Sequence, residues 1–295
     1  MLSPNMTGSL FMVIAMAAFT FNDAIIKVLG QSFPIVEVIF LRGALTIAII
    51  GAIIAFTTGF SSLSKLNRPI IWWRAMCEVG ATYCFLTGLQ HVEIANAAAI
   101  LSALPLAVTI GSVLFLGEKV GWRRWSAIAV GFIGVLFIVR PGLADFNVYS
   151  INILGAVFFA AARDLVTKQA PKDVSSLNLT FSTAIAITIS GAFATYFFAE
   201  FKPVTNIEWG WLIASALLLT VAYYFIVAAM RIGEIAIVAP FRYTNLLWAI
   251  GLGIIVFGDK LDWMTLLGSA IVTATGLYTL YRERVRIKAA KKLAA

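Results

Sequence analysis

Long apolar runs broken by short polar clusters dominate this chain, and reading between the breaks gives ten candidate helical spans. They cover residues 6–28, 34–57, 69–89, 93–116, 122–140, 150–168, 175–199, 209–230, 234–257 and 262–281. Each is close to the ~20 residues that carry an α-helix across the hydrocarbon of a bilayer. The breaks hold helix-ending chemistry: Gly30-Gln31-Ser32, Thr57-Thr58-Gly59, Asn67-Arg68-Pro69, Arg140-Pro141-Gly142 and Lys202-Pro203. The pattern predicts an all-α integral membrane protein of ten transmembrane helices.

The pattern also repeats. Shifted by 141 residues (258 − 117), the chain matches itself without a gap. Gly117-Glu118-Lys119-Val120 falls on Gly258-Asp259-Lys260-Leu261, and Glu93-Ile94-Ala95 on Glu234-Ile235-Ala236. Asp23 and Lys27 fall on Asp164 and Lys168, Phe40 on Phe181, and Trp122 on Trp263. This divides the chain into a first repeat (1–144), a second (145–281) and a basic tail (282–295). Five spans per repeat is an odd number, so the second copy must enter the membrane from the opposite side. The two halves are then inverted repeats related by a pseudo-two-fold axis in the membrane plane.

Composition agrees: 61% of residues are hydrophobic and 12% charged, which excludes a soluble globular class. The net charge of +8 is unevenly placed. Lys65, Arg68, Lys119, Arg123, Arg124, Lys172, Arg231 and the Arg282–Lys292 tail share the face of the termini, while Arg140, Lys202 and Lys260 lie opposite. Cationic loops stay cytoplasmic, so both termini are expected there. The tail reads as an anchor to anionic lipid and not as a nucleic-acid arm. No phosphate-cradling glycine loop, metal-spaced Cys/His cluster or nucleophile–His–acid set occurs, so neither an enzyme nor a cofactor is expected. Cys77 and Cys84 lie about 10 Å apart along one helix and cannot bridge.

Ionisable groups at bilayer depth carry the candidate chemistry, because each costs at least ~2.5–3.5 kcal/mol to insert. Glu37 and Arg42 fall in the second span, Arg74 and Glu78 in the third, Arg163 and Asp164 in the sixth, and Arg242 in the ninth. Asp23–Lys27, Arg74–Glu78 and Asp164–Lys168 are spaced four apart, as intrahelical ion pairs would be. Counting the rise from the terminal face puts Glu78 at about 14 Å, Arg242 at about 12 Å and Arg163 at about 8 Å. Two guanidinium groups and a carboxylate at similar depth can hold an anionic group and an amine, or can brace the bundle. Pro240 precedes Arg242, Tyr243 and Asn245, and Pro105 follows Ser102; both prolines predict kinks that aim side chains inward. Trp248, Tyr83 and Tyr223 offer flat surfaces to a ring or cation.

The ten spans in two repeats, the Gly117-Glu118-Lys119 and Gly258-Asp259-Lys260 turns and the Arg140-Pro141-Gly142 ending resemble the drug/metabolite transporter superfamily in its EamA branch. The resemblance implies an inner-membrane secondary carrier whose cavity is lined by spans one, three, four, six, eight and nine. Arg163, Arg242 and Glu78 fit that lining, and Glu37 and Arg42 fit it less well. Asn22-Asp23-x-x-x-Lys27-x-Leu29-Gly30 is also similar to S-adenosylmethionine uptake carriers of the branch, and other members are amino-acid exporters and riboflavin carriers. The expected activity is alternating-access transport of a small charged or zwitterionic metabolite, amino acids or their derivatives foremost. The rivals are uptake of a larger cofactor-like solute, a passive channel and a membrane-embedded lipid enzyme. Proton coupling and oligomeric state stay open, and a single chain supplies both halves.

Overall fold

A computed structural model describes residues 3–57, 59, 63, 66–117, 121–142, 146–169, 174–232, 235–260 and 262–293. Glu118, Lys119, Val120, Glu234 and Leu261 of the repeated motifs lie outside these residues, as does the side chain of Lys168.

The helices are α1 (Pro4–Ser32), α2 (Ile35–Thr57), α3 (Pro69–His91), α4 (Ile94–Leu116), α5 (Trp122–Val139), α6 (Ser150–Gln169), α7 (Ser176–Phe198), α8 (Asn206–Ile232), α9 and α10 (Trp263–Leu293). α9 is assembled from Ile235–Val238, Ala239–Tyr243, Thr244–Leu252 and Gly253–Phe257. Starts are capped as the sequence dictates: the Ser3 hydroxyl accepts from the Met6 amide ahead of Pro4, and the Ser175 hydroxyl from the Asn178 amide. Eight helices are long and apolar enough to cross a membrane by composition alone. The other two are α3, which carries Arg74 and Glu78 inside it, and α5, whose apolar stretch is the shorter Trp125–Val139. α10 runs past the apolar span Trp263–Arg282, so the basic tail begins as a continuation of this helix to Leu293 with no proline to stop it.

Helix neighbours obey the inverted symmetry. The most extensive pairs are α1–α8, α3–α6, α2–α7 and α5–α10. Exchange every helix for its mate five places on, and α1–α8 becomes α6–α3, while α2–α7 and α5–α10 return themselves. The lesser pairs α3–α7 and α8–α2 exchange, as do α4–α6 and α9–α1. Every main pair joins one repeat to the other, so the halves interlock. The mates Gly117 and Gly258 close α4 and α9 in the same left-handed conformation, φ 66° with ψ 21° and 23°. At the α2–α7 crossing, a Cβ on Gly191 would lie 2.8 Å from the Phe40 amide nitrogen, so the two backbones pack directly against each other.

The core is unevenly distributed. On the face opposite the termini one continuous cluster joins the end of α1 (Ile26, Leu29), the start of α2 (Val38, Ile39), the α3–α4 corner (Leu89, Val92, Ile94), the end of α5 (Ile138) and the start of α6 (Ile153). On the terminal face the core is parted into two. Ile50, Ile54, Ile71 and Phe181 hold α2, α3 and α7 together, and Met12, Ala15, Ala229 and Val238 hold α1, α8 and α9. Among the described residues the core is thus continuous on one face and parted on the other.

The face of the continuous core carries a charged staple. Arg140, which ends α5 with φ 52° and ψ 52°, forms an ion pair with Asp262 at the start of α10. The Asp262 carboxylate also accepts from the amide (2.9 Å) and hydroxyl (3.0 Å) of Thr265. Partial burial raises its pKa, but the bonds from Arg140 and Thr265 outweigh that and hold it at about 2, below the ordinary 3.8. A depressed folded pKa contributes stability above the unfolded value that is lost as pH falls through the folded one. Melting of the purified protein should therefore drop between about pH 4 and pH 2, and Asp262→Asn should flatten that limb. An acid limb identical in both proteins would dismiss the staple.

Candidate functional site

Two mated helices are interrupted at matching positions. In α4 the regular helix stops at Leu101, and a second segment, Leu104–Leu116, begins with Pro105, which has no amide to return to the Leu101 carbonyl. Ser102 fills this break, its hydroxyl donating back to the Ala98 carbonyl at 2.9 Å. In α9, Pro240 opens a tighter-wound stretch over Ala239–Tyr243. Tyr243 is the repeat mate of Ser102 (243 − 102 = 141), so both interruptions fall at one register position. Paired discontinuities in the two halves are where transporters of this construction place polar ligand groups. Beside the α9 break, Arg242 is solvent-accessible and makes no hydrogen bond or ion pair among the described residues; its electrostatic neighbours are Asp164 and Arg163.

A connected charged layer crosses the middle of the bundle. Arg163 on α6 donates to Glu78 on α3 at 2.7 Å and pairs with its own neighbour Asp164 at 2.8 Å. Tyr223 on α8 is an electrostatic neighbour of Glu78. Arg74, one turn from Glu78, turns away to Thr167 (2.9 Å) and Thr183 (2.6 Å). Arg42 on α2 is 6% exposed; its Nη1 reaches Asn22 Oδ1 at 3.4 Å, Asp23 is its nearest opposite charge, and its buried Nε has no partner. The same Asn22 oxygen accepts from Ser215 at 2.7 Å.

Within this layer lies a small pocket lined by Arg42, Gly43 and Thr46 of α2, Arg74 of α3, Thr180, Thr183, Ala184 and Ile187 of α7, and Leu219 and Tyr223 of α8. Three lining pairs are repeat mates 141 apart: Arg42 and Thr183, Gly43 and Ala184, Thr46 and Ile187. The cavity thus straddles the pseudo-two-fold axis. Its walls differ chemically, because the first repeat supplies both arginines while Thr183 and Ser215 occupy the mated positions.

Several expectations are corrected. The pocket at the α2–α7 crossing is lined by α2, α3, α7 and α8, of which α3 and α8 belong to the expected lining. Arg42, expected to fit poorly, is central to it. Two of the four-residue spacings do not make intrahelical pairs: Glu78 takes Arg163 rather than Arg74, and Lys27 leaves Asp23; the Lys168 side chain of the third lies outside the described residues, and Asp164 meets Arg163. Lys27 turns from Asp23 to cap the end of α3, donating to the Leu89 and Val92 carbonyls at 2.6 and 2.5 Å beneath the Phe257 ring. Glu37 accepts from the Lys202 amide at 3.2 Å. Trp248 is 38% exposed and sits beside Phe21, away from the cavity. Asn245 accepts from Thr20 at 2.6 Å, while the buried hydroxyls of Tyr83 and Tyr243 have no partner. Sequence reasoning missed Asn22, Thr46, Thr183 and Ser215. Two of these could have been found by carrying Arg42 and Arg74 through the 141-residue shift.

Curated relatives align along nearly their whole length. The chain is 26% identical to the pseudopaline exporter of Pseudomonas aeruginosa, covering 90% of this chain and 93% of the relative. It is 25% identical to the S-adenosylmethionine uptake transporter of Rickettsia conorii (95% and 94% covered). It is 26% identical to the riboflavin transporter of Vibrio cholerae (97% of each). A solved crystal structure shares the fold with a TM-score of 0.63 at 15% identity, over 96% of this chain and 98% of that one. Residues 6–140 and 148–281 each match the EamA-like transporter family. The repeat, the mated helix breaks and these matches agree: the chain belongs to the EamA-like transporter family and is a multi-pass membrane transporter.

Proposed function

We propose that this protein is a secondary active carrier that moves a small charged or zwitterionic metabolite, an amino acid or amino-acid derivative foremost, across a bacterial inner membrane with both termini cytoplasmic. The observation that carries the reading is the cavity on the pseudo-two-fold axis, lined by Arg42, Arg74 and Tyr223, with a core continuous on one face only. Inverted halves have conformations that exchange when the repeats exchange roles. A core parted on the terminal face then implies a second state parted on the other, with the axis cavity common to both. Arg42 and Arg242 offer donors to the anionic group of the solute, and Tyr223 and the threonines offer hydroxyls. Asp23, the charge facing Arg42, is where a coupled proton would sit. Uptake of a larger cofactor-like solute is the second reading, favoured by the names of the Rickettsia and Vibrio relatives.

Alternation has a direct test. In a Cys77→Ala, Cys84→Ala background, Thr183→Cys should react with membrane-impermeant maleimide from both faces of oriented vesicles, and its two rates should shift in opposite directions when a bound solute biases the states. Reaction from one face alone under every condition would refute alternating access.

A further inference from the structure

The charged layer is not balanced, and we infer that the imbalance selects solutes carrying net negative charge. This deepens the carrier reading and rests on it. Four guanidinium groups, Arg42, Arg74, Arg163 and Arg242, share one electrostatic network with three carboxylates, Asp23, Glu78 and Asp164. Among the described residues the layer therefore holds one excess positive charge.

Position makes the excess useful. Arg163 is fully committed, with Glu78 on one side and Asp164 on the other, and Arg74 is spent largely on hydroxyls of Thr167 and Thr183. The two guanidinium groups with unspent donors are Arg42, on the axis cavity, and Arg242, at the helix break on the parted side. Arg42, 6% exposed and with its Nε unpartnered among the described residues, is a cation whose burial a bound anion offsets on arrival, while the exposed Arg242 adds attraction at the mouth of the site. A zwitterion brings no net relief, and a cation adds to the strain. Carboxylate and phosphate geometries both suit a planar guanidinium fork. A sulfonium cation such as the solute named for the Rickettsia relatives is disfavoured on this count.

The test is binding by the full-length protein in detergent to a metabolite library divided equally among net-anionic, zwitterionic and cationic solutes, read by thermal shift and calorimetry. Tight binders are expected among the anions. Arg242→Gln, which leaves four charges of one sign fewer by one and so balances the layer, should weaken them by at least about tenfold, or ~1.4 kcal/mol, relative to zwitterions. Arg242→Lys should retain the anion preference, and Asp23→Asn should widen it, which separates charge from a folding defect. Cations or zwitterions as the tightest binders, or an anion-to-zwitterion ratio unmoved in both Arg242→Gln and Asp23→Asn, would overturn the charge selection while leaving the carrier standing. Absence of any binder together with one-sided labelling of Thr183→Cys would remove the carrier reading, and this inference with it.

Discussion

Truncating Arg163 to alanine is expected to cost about 3–5 kcal/mol of stability, the scale for stranding one partner of a buried ion pair. Glu78 would lose its 2.7 Å donor while its side chain stays 10% exposed in the centre of the bundle. Asp164 would lose its 2.8 Å partner in the same stroke, and Arg74 could not step in without leaving Thr167 and Thr183. The Glu78→Leu, Arg163→Met double variant should recover most of the loss, since matched apolar replacements leave no charge unpaired. The second repeat already carries Leu219 at the position equivalent to Glu78, so the apolar side chain suits that register. Thermal melting of the four proteins in one detergent gives the cycle, and the coupling should exceed either single effect's scatter. A single Arg163→Ala variant that melts with the wild type would show that the pair braces nothing.

That pair also marks where sequence reading reached its limit. Span positions were legible because a bilayer demands long apolar runs, and the observed helices start and stop within a few residues of the expected ones, except that α10 runs on to Leu293. The repeat was legible because one shift aligns Gly117 with Gly258, and the backbone at both proves the same. Charge partners were not. Spacing of four residues sees only one helix face, whereas Glu78 and Arg163 are 85 residues apart and meet only through the α3–α6 contact. The role of Arg42 was hidden for the same reason: nothing local to α2 tells that it crosses α7 at the pocket. Trp248 misled because a mid-span aromatic reads alike whether it faces a cavity or the outside of the bundle.

Arg42→Ala is expected to lower transport by at least about 100-fold, the equivalent of ~2.7 kcal/mol at the binding site. The residue is 6% exposed, lines the axis cavity, and keeps a buried Nε donor free of any protein partner. Under the proposed alternation, a guanidinium held in that state would be available to a solute in both conformations. Arg42→Lys should recover little, because an ammonium supplies charge but not the planar fork with its separate Nε donor. Its mate gives the contrast. Thr183 faces the same cavity from α7 but accepts from Arg74 and donates to the Leu179 carbonyl, so Thr183→Ala should reduce transport by less than about tenfold. Flux into proteoliposomes of the solute that binds the wild type most tightly, compared across these three variants at equal reconstituted amounts, decides the matter. Equal losses in Arg42→Ala and Thr183→Ala would mean that the cavity is read by shape alone, and that the charge asymmetry between the two repeats has no part in recognition.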